Sequence, residues 1–115
     1  MTRTAIALLL VFAALAAHAA EPETVMVTYR AKKGSEARLA QVLTKHWDTV
    51  RRLELATSDP RHLYRAGSTL IEVFTWKDAE IPDHAPAEIR TIWDEMQALV
   101  EKSGISILEV ERVRE

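Results

Sequence analysis

The segment Leu70–Trp76, LIEVFTW, constrains the fold most, because it reads as a strand with large apolar side chains on both faces. Since side chains alternate along a strand, its two faces carry Leu70, Phe74 and Trp76 on one side and Ile71 and Val73 on the other. Helices are expected to cover one face of the sheet, and a short chain has little with which to cover the second. Because large exposed apolar patches are unusual in soluble monomers, we expect that face to be buried in a homodimer.

Residues 1–19 have the features of a secretory signal peptide. Arg3 precedes the 13-residue apolar run AIALLLVFAALAA, and small residues, Ala17 and Ala19, occupy the positions that determine cleavage. A membrane-spanning helix would need about 20 apolar residues, which is more than this run supplies. The sequence therefore predicts export to the periplasm or the medium, a single domain over residues 20–115, and no membrane attachment after cleavage.

The composition excludes several classes of function. The net formal charge is −2, and loss of Arg3 with the leader makes it more negative, so neither nucleic acid nor an anionic membrane is an expected partner. The chain has no cysteine, hence no disulfide and no thiol nucleophile. The spacing of His46, His62 and His84 matches no metal-ligand motif, and no metal site is predicted. No phosphate-binding loop or dinucleotide fingerprint supports a flavin or nicotinamide cofactor.

Hydrophobic periodicity predicts two helices and four strands in the domain. One helix follows Ser35 and continues to Leu53, and a second starts at Pro86 and stops at Ser103-Gly104. The predicted strands cover residues 24–31, 62–66, 69–76 and 105–113. The order βαββαβ is that of an α+β, ferredoxin-like fold with an antiparallel four-stranded sheet.

The chain resembles the antibiotic-biosynthesis-monooxygenase-like (ABM) domains of the dimeric α/β-barrel superfamily. The resemblance is carried by the strand end EVFTWKD at residues 72–78, by His84 and Pro86, and by Ile92-Trp93 in the second helix. It implies that two ferredoxin-like subunits join their sheets into a barrel, with a pocket between helices and sheet in each subunit. Oxygenases, haem-degrading enzymes and proteins without a known reaction share this fold.

Haem-degrading members resemble the chain at Trp76, which matches a Trp at a strand end, and approximately at His84. They also place an asparagine on the first strand, where this chain has Val27, Thr28 and Tyr29, and the sequence contains no asparagine. Haem is therefore the one cofactor that the resemblance implies. Apart from haem, we expect the protein to bind no cofactor.

Two side chains are candidates for catalysis. His84 stands just before a predicted helix and could take a substrate proton near neutral pH, or hydrogen-bond within its linker instead. Glu72 lies on the apolar face of its strand, where burial would raise its pKa enough for acid-base work. The alternative for Glu72 is a salt bridge to Arg30 or Arg65 on a neighbouring strand.

Four aromatic residues are candidates for ligand binding. Trp76 and Trp93 could form flat walls around an aromatic molecule, and Tyr29 and Tyr64 could orient a phenol or quinone through their hydroxyl groups. All four could instead serve only in packing.

Two functions follow from these observations. The first is an exported homodimer that binds a small apolar or aromatic molecule and oxidises it with dioxygen, as a cofactor-independent monooxygenase. The alternative is a dimer that binds a ligand without a reaction, or is purely structural, or binds haem.

Overall fold

The computed structural model describes residues 21–115, which form one four-stranded sheet and two α-helices. The elements in chain order are β1 (Glu23–Ala31), α1 (Glu36–Arg52), β2 (His62–Ala66), β3 (Thr69–Trp76), a short 3-10 helix (Ile81–His84), α2 (Ala87–Leu99) and β4 (Val100–Val110). The predicted signal peptide lies outside the described residues. Within residues 21–115, no helix is long and apolar enough to cross a membrane.

The sheet has the strand order β2-β3-β1-β4, and every neighbouring pair is antiparallel. This confirms the predicted α+β, ferredoxin-like fold and the βαββαβ order of its elements. Strand β1 lies between β3 and β4, with Val27 opposite Glu72 on one side and opposite Ile107 on the other. The centre of the sheet therefore brings side chains from three strands onto one face.

Both helices cover the same face of the sheet. Amphipathic spacing places Leu39, Leu43 and Val50 of α1 on its buried side, and acidic Glu36 and basic Arg52 at opposite ends suit the helix dipole. Alternate residues of β1 and β3 meet these helices in the core: Val25, Val27, Tyr29, Leu70, Phe74 and Trp76. The predicted alternation of β3 is thereby confirmed.

The opposite face of the sheet, which we call the open face, has no helix on it among residues 21–115. Met26, Ile71 and Val73 are half-buried there, and Tyr64 and Leu108 are exposed. The open face thus carries apolar or aromatic side chains on all four strands.

The last strand begins five residues earlier than the sequence predicted. Helix α2 ends at Leu99 and β4 starts at Val100, so the prediction that Ser103-Gly104 stops a helix was wrong. These residues instead form an irregularity in the β1–β4 pairing, where Ser103 has a φ of 56° and the register shifts. A Cβ at Gly104 would stand 2.6 Å from the carbonyl oxygen of Glu101, so glycine here serves a close backbone approach.

Candidate functional site

A cavity of about 460 Å³ lies between the helices and the sheet, within the size range of small-molecule sites. Its floor comes from alternate residues of β1, β3 and β4, and its roof from both helices. The lining is mostly apolar and aromatic, and includes Val25, Val27, Phe74, Trp76, Trp93, Met96, Ile105 and Ile107. Ile107 lines the wall and is nevertheless 65% exposed, because β4 extends beyond the part of the sheet that the helices cover. The cavity therefore opens to solvent along this strand.

His46 lines the cavity from α1 and is surrounded by aromatic rings. Its ring centroid lies 6.0 Å from that of Phe74, 6.3 Å from that of Trp76 and 6.4 Å from that of Trp93. Phe74 and Trp76 meet edge to face at 4.8 Å, a preferred geometry for aromatic pairs. The imidazole is only 2% exposed and thus forms part of an aromatic wall.

The indole N–H of Trp93 donates a hydrogen bond to Nε2 of His46 at 3.1 Å. Burial, and then the positive charge of Arg61, lower the pKa of His46 to about 4. The imidazole is therefore neutral at physiological pH, and it links α1 to α2 across the cavity roof.

Glu72 is fully buried on the helix-covered face of β3, next to the cavity but outside its lining, where two polar side chains contact it. The hydroxyl of Tyr29 donates to Oε1 of Glu72 at 3.1 Å, and Nε of Arg61 lies 3.5 Å from Oε2. At that distance the Arg61 contact is an ion pair without an aligned hydrogen bond. The sequence hypothesis of a salt bridge was right in kind but named the wrong partners, since Arg30 and Arg65 are exposed and Arg61 precedes β2.

Burial raises the pKa of Glu72 to about 7, although Arg61 and the Tyr29 hydroxyl both act to lower it. Burial and the adjacent carboxylate raise the pKa of Tyr29 well above its usual value, so Tyr29 remains a protonated phenol. Since Tyr29 also lines the cavity, it connects the cavity wall to a carboxylate that can gain or lose a proton near neutral pH.

Carboxylates gather where the lining meets solvent. Glu23, Asp83 and Glu109 border the cavity, and of the described residues that line it none is Lys or Arg. Partial burial, followed by the charges of Glu109 and Asp83, raises the pKa of Glu23. We call these three residues the acidic mouth, and its charge favours neutral or cationic ligands over anions.

The structure brings four of the six sequence candidates to this region. Tyr29, Trp76 and Trp93 line the cavity, and Glu72 lies directly behind Tyr29. His84 is exposed in the 3-10 helix and is not part of the lining, although neighbouring Asp83 is. Tyr64 is exposed on the open face, on the other side of the sheet from the cavity.

Sequence reasoning missed His46 as a cavity residue. The signal was present, because His46 follows Val42 by four residues and Leu43 by three, which places it on the apolar stripe of α1. Among residues 21–115, no group of three or more His, Cys, Asp or Glu side chains is arranged to hold a metal ion.

Comparisons with known proteins give matches in structure only: no family model and no curated protein sequence matches the chain. Rv0793 from Mycobacterium tuberculosis superposes with a TM-score of 0.66 at 13% identity, covering 83% of this chain and 98% of that one. A variant of SnoaB, a cofactor-independent oxygenase from Streptomyces nogalater, gives 0.66 at 12% identity, with 82% and 95% covered.

A third solved structure, that of an antibiotic biosynthesis monooxygenase, gives a TM-score of 0.64 at 11% identity, with 80% of this chain and 99% of that one covered. At such low identity these likenesses establish the fold and no activity. The chain therefore has an antibiotic-biosynthesis-monooxygenase-like fold.

Proposed function

We propose that this chain is an exported protein that binds a small neutral aromatic molecule in its cavity and oxidises it with dioxygen, as a cofactor-independent monooxygenase. The observation that carries the proposal is the contact of Tyr29, a cavity residue, with the buried carboxylate of Glu72. SnoaB, whose solved structure has a similar fold, is a cofactor-independent oxygenase, and this supports the same reaction class.

The cavity walls suit a flat aromatic ligand. Phe74, Trp76 and Trp93 offer ring faces and edges, and Met96 adds a flexible thioether. Burial of apolar ligand surface against these side chains supplies the affinity, and the acidic mouth disfavours anions.

The Tyr29–Glu72 pair supplies the base. As a CH₂ group of the bound substrate loses a proton to the Tyr29 oxygen, the Tyr29 hydroxyl proton passes to Glu72. The carbanion then reduces dioxygen and forms a carbon–oxygen bond. Cleavage of the oxygen–oxygen bond leaves a carbonyl on the substrate and releases water. In balance, one CH₂ and one O₂ become one C=O and one H₂O, so that the substrate itself is the reductant.

The cavity residues do not fit haem, the cofactor brought in by the family resemblance. The lone pair of His46 that an iron would need already accepts the Trp93 hydrogen bond, and His84 lies outside the lining. The acidic mouth would also repel the negatively charged propionates of haem. No step of the proposed reaction therefore uses this group.

The test uses anthrone as the probe, with oxygen uptake and anthraquinone formation measured together above the uncatalysed rate. We expect one O₂ consumed for each anthraquinone and no accumulated peroxide. Glu72→Gln keeps the shape of the side chain and removes the base, and should slow turnover by about 100-fold. The matched control Glu101→Gln, at an exposed residue of β4, should retain the rate.

The other outcomes decide between the candidate functions. If Glu72→Gln reacts as fast as the wild type, Glu72 is not the base. If anthrone binds, measured by calorimetry, but is not oxidised above background, the chain is a ligand-binding protein without this activity.

We also propose that the open face is covered by a second copy of the chain, as in a barrel of two joined sheets. Its support is the apolar surface formed by Met26, Ile71, Val73 and Leu108, on a face that no described helix covers. Light scattering at micromolar concentration should give twice the subunit mass, and Leu108→Lys should give one subunit mass with the fold retained. A wild-type protein of single mass would contradict the dimer.

Export to the periplasm or the medium is the final part of the proposal. It rests on the sequence of residues 1–19, and amino-terminal sequencing of protein produced in a bacterial host should begin at Ala20. Retention of the full chain in the cytoplasm would contradict it.

A further inference from the structure

Arg61 reaches the helix-covered side of the sheet from the loop that precedes β2. Its neighbours Pro60 and His62 are exposed, yet the Arg61 side chain is only 10% exposed. Its Nη2 donates a hydrogen bond to the carbonyl oxygen of Leu43 on α1 at 3.4 Å, and its Nε lies 3.5 Å from Oε2 of Glu72 on β3. The guanidinium is therefore held between a helix and the buried carboxylate.

The two oxygens of Glu72 have different partners. Oε1 accepts a hydrogen bond from the Tyr29 hydroxyl at 3.1 Å, whereas Oε2 faces Arg61 and accepts no hydrogen bond from residues 21–115. Arginine carries only donors and stays protonated in proteins. A proton on Oε2 would thus set an O–H group against an N–H group, while a proton on Oε1 can be donated to the Tyr29 oxygen. Arg61 therefore makes Oε1 the favoured site of protonation.

Arg61 is also the charge that acts most directly on this carboxylate. Tyr29 faces it from β1 as a neutral phenol, and His46, the titratable side chain on the buried side of α1, is neutral because its pKa is lowered. Arg65 of β2 is exposed and donates to a backbone carbonyl of its own hairpin. Of the cations in residues 21–115, Arg61 alone is within ion-pair distance of Glu72, and its charge holds the pKa of that carboxyl below the value that burial alone would give.

We propose that Arg61 is the positioning residue of the base: it keeps Oε2 of Glu72 unprotonated and directs the exchanged proton to Oε1, the oxygen in contact with Tyr29. The inference rests on the proposed function for the role of Glu72 as base, and adds the residue that makes this carboxylate available. Without the guanidinium, the buried carboxyl would hold a proton at neutral pH and could accept none from Tyr29.

The first test measures the pKa of Glu72 without any ligand, by ¹³C NMR of protein labelled at the glutamate carboxyl carbons, with Glu72→Gln to assign the signal. Arg61→Met keeps an unbranched apolar stem and removes the charge, and should raise this pKa from about 7 by at least about one unit. Arg61→Lys restores a charge and should give a value closer to that of the wild type. The control Arg65→Met, at an exposed arginine of β2, should leave the pKa unchanged. An unchanged pKa in Arg61→Met would overturn the inference.

Infrared spectra identify the oxygen that takes the proton. In protonated Glu72 the C=O oxygen should be Oε2, so Arg61→Met, which removes the donor facing this oxygen, should shift the C=O stretch to higher frequency. Tyr29→Phe should shift it less. A C=O stretch that responds to Tyr29→Phe and not to Arg61→Met would place the proton on Oε2 and overturn the inference.

A measurement on the wild type covers the case in which Arg61→Met fails to fold. In protein with ¹⁵N-labelled arginine, the Nε–H signal of Arg61 should move with pH at the same midpoint as the carboxyl carbon of Glu72, and the signal of Arg65 should not. An Arg61 signal that does not follow the ionisation of Glu72 would overturn the inference.

Oxidation of anthrone separates this role from one in packing alone. At pH 7, Arg61→Met should turn over at least about fivefold more slowly than the wild type, because a smaller fraction of Glu72 is ionised, and the difference should disappear at higher pH. A loss of rate that is equal at every pH would show a packing role only and overturn the inference. If even the wild type does not oxidise anthrone while the pKa of Glu72 still depends on Arg61, the proposed function fails and the control of Glu72 by Arg61 stands.

Discussion

The indole N–H of Trp93 on α2 donates to Nε2 of His46 on α1, so that one hydrogen bond joins the helices and sets the protonation of a cavity residue. Protonation of Nε2 would place two N–H groups against each other. This contact therefore opposes the imidazolium form, in addition to the burial that already lowers the pKa of His46.

Replacing Trp93 by Phe should raise the pKa of His46. The smaller ring keeps an aromatic wall and removes the donor, so Nε2 becomes free to take a proton. From about 4, the pKa should rise by about one unit, the equivalent of one net hydrogen bond, and should stay below 6.5 because the side chain remains buried. NMR titration of the ring protons measures this, and an unchanged or lower value would contradict the assignment of Nε2 as the acceptor.

Glu72→Gln should change how stability depends on pH. The pKa of Glu72 is about 7 in the folded protein and 4.5 where the side chain is not buried, as in the unfolded chain. Between these two pH values the folded state therefore binds more protons at Glu72 than the unfolded state does. Wild-type stability from this group is therefore present below pH 4.5 and is lost as pH rises to 7. The free energy of unfolding of Glu72→Gln, minus that of the wild type, should rise by about 3 kcal/mol over this window.

Urea unfolding at a series of pH values tests this, and the difference isolates Glu72 from groups common to both proteins. Glu101→Gln is the control and should give a flat difference. His46 acts in the opposite direction, because its lowered pKa makes stability rise with pH between about 4 and 6.5. A flat difference for Glu72→Gln would mean that Glu72 is ionised throughout.

The acidic mouth should discriminate against anions. Naphthalene-2-sulfonate should bind more weakly than naphthalene. Glu109→Gln should reduce the ratio of the two affinities by about threefold, because it removes one nearby charge. Added salt should also reduce this ratio of affinities in the wild type, because salt screens the repulsion between the carboxylates and the sulfonate. Calorimetry with both probes measures it, and a ratio independent of Glu109 and of salt would show that shape, not charge, excludes the anion.

Gly104→Ala should destabilise the protein more than Gly67→Ala. A Cβ at residue 104 would lie 2.6 Å from one backbone oxygen and 3.1 Å from another, and the cost should be about 2–4 kcal/mol. Gly67 has a φ of 62° but open space around it, so alanine there should cost only about 1 kcal/mol. Equal losses in urea unfolding would contradict the close approach at residue 104.

The parts of the fold that the sequence predicted well are those with a local cause. Alternation in β3 and the turn at Gly67-Ser68 define both strands of that hairpin, and the observed bounds of β2 and β3 match the predicted ones. Gly104 shows the limit of such reasoning, because a glycine after a helix pattern resembles a helix stop. Its actual function depends on the approach of the Glu101 and Arg30 backbones.

The candidate site was predicted in part for similar reasons. Trp76 and Trp93 could be placed near a pocket from their positions on strand and helix. The ion pair of Glu72 with Arg61 joins a strand to a loop, and no periodicity indicates which arginine of a loop turns inward. His46 lies on the apolar stripe of α1, which the sequence shows. Its hydrogen bond, however, depends on Trp93, which is 47 residues further along the chain.

The exposed position of Ile107 on the cavity wall has a kinetic consequence. A flat molecule can enter and leave sideways over β4, with no helix displaced and no backbone hydrogen bond broken. Association should then be limited by diffusion and orientation, and the residence time by the contacts that the molecule makes with the cavity wall. Many different small molecules should therefore enter and leave the cavity quickly, and only those that fit its inner wall should stay bound.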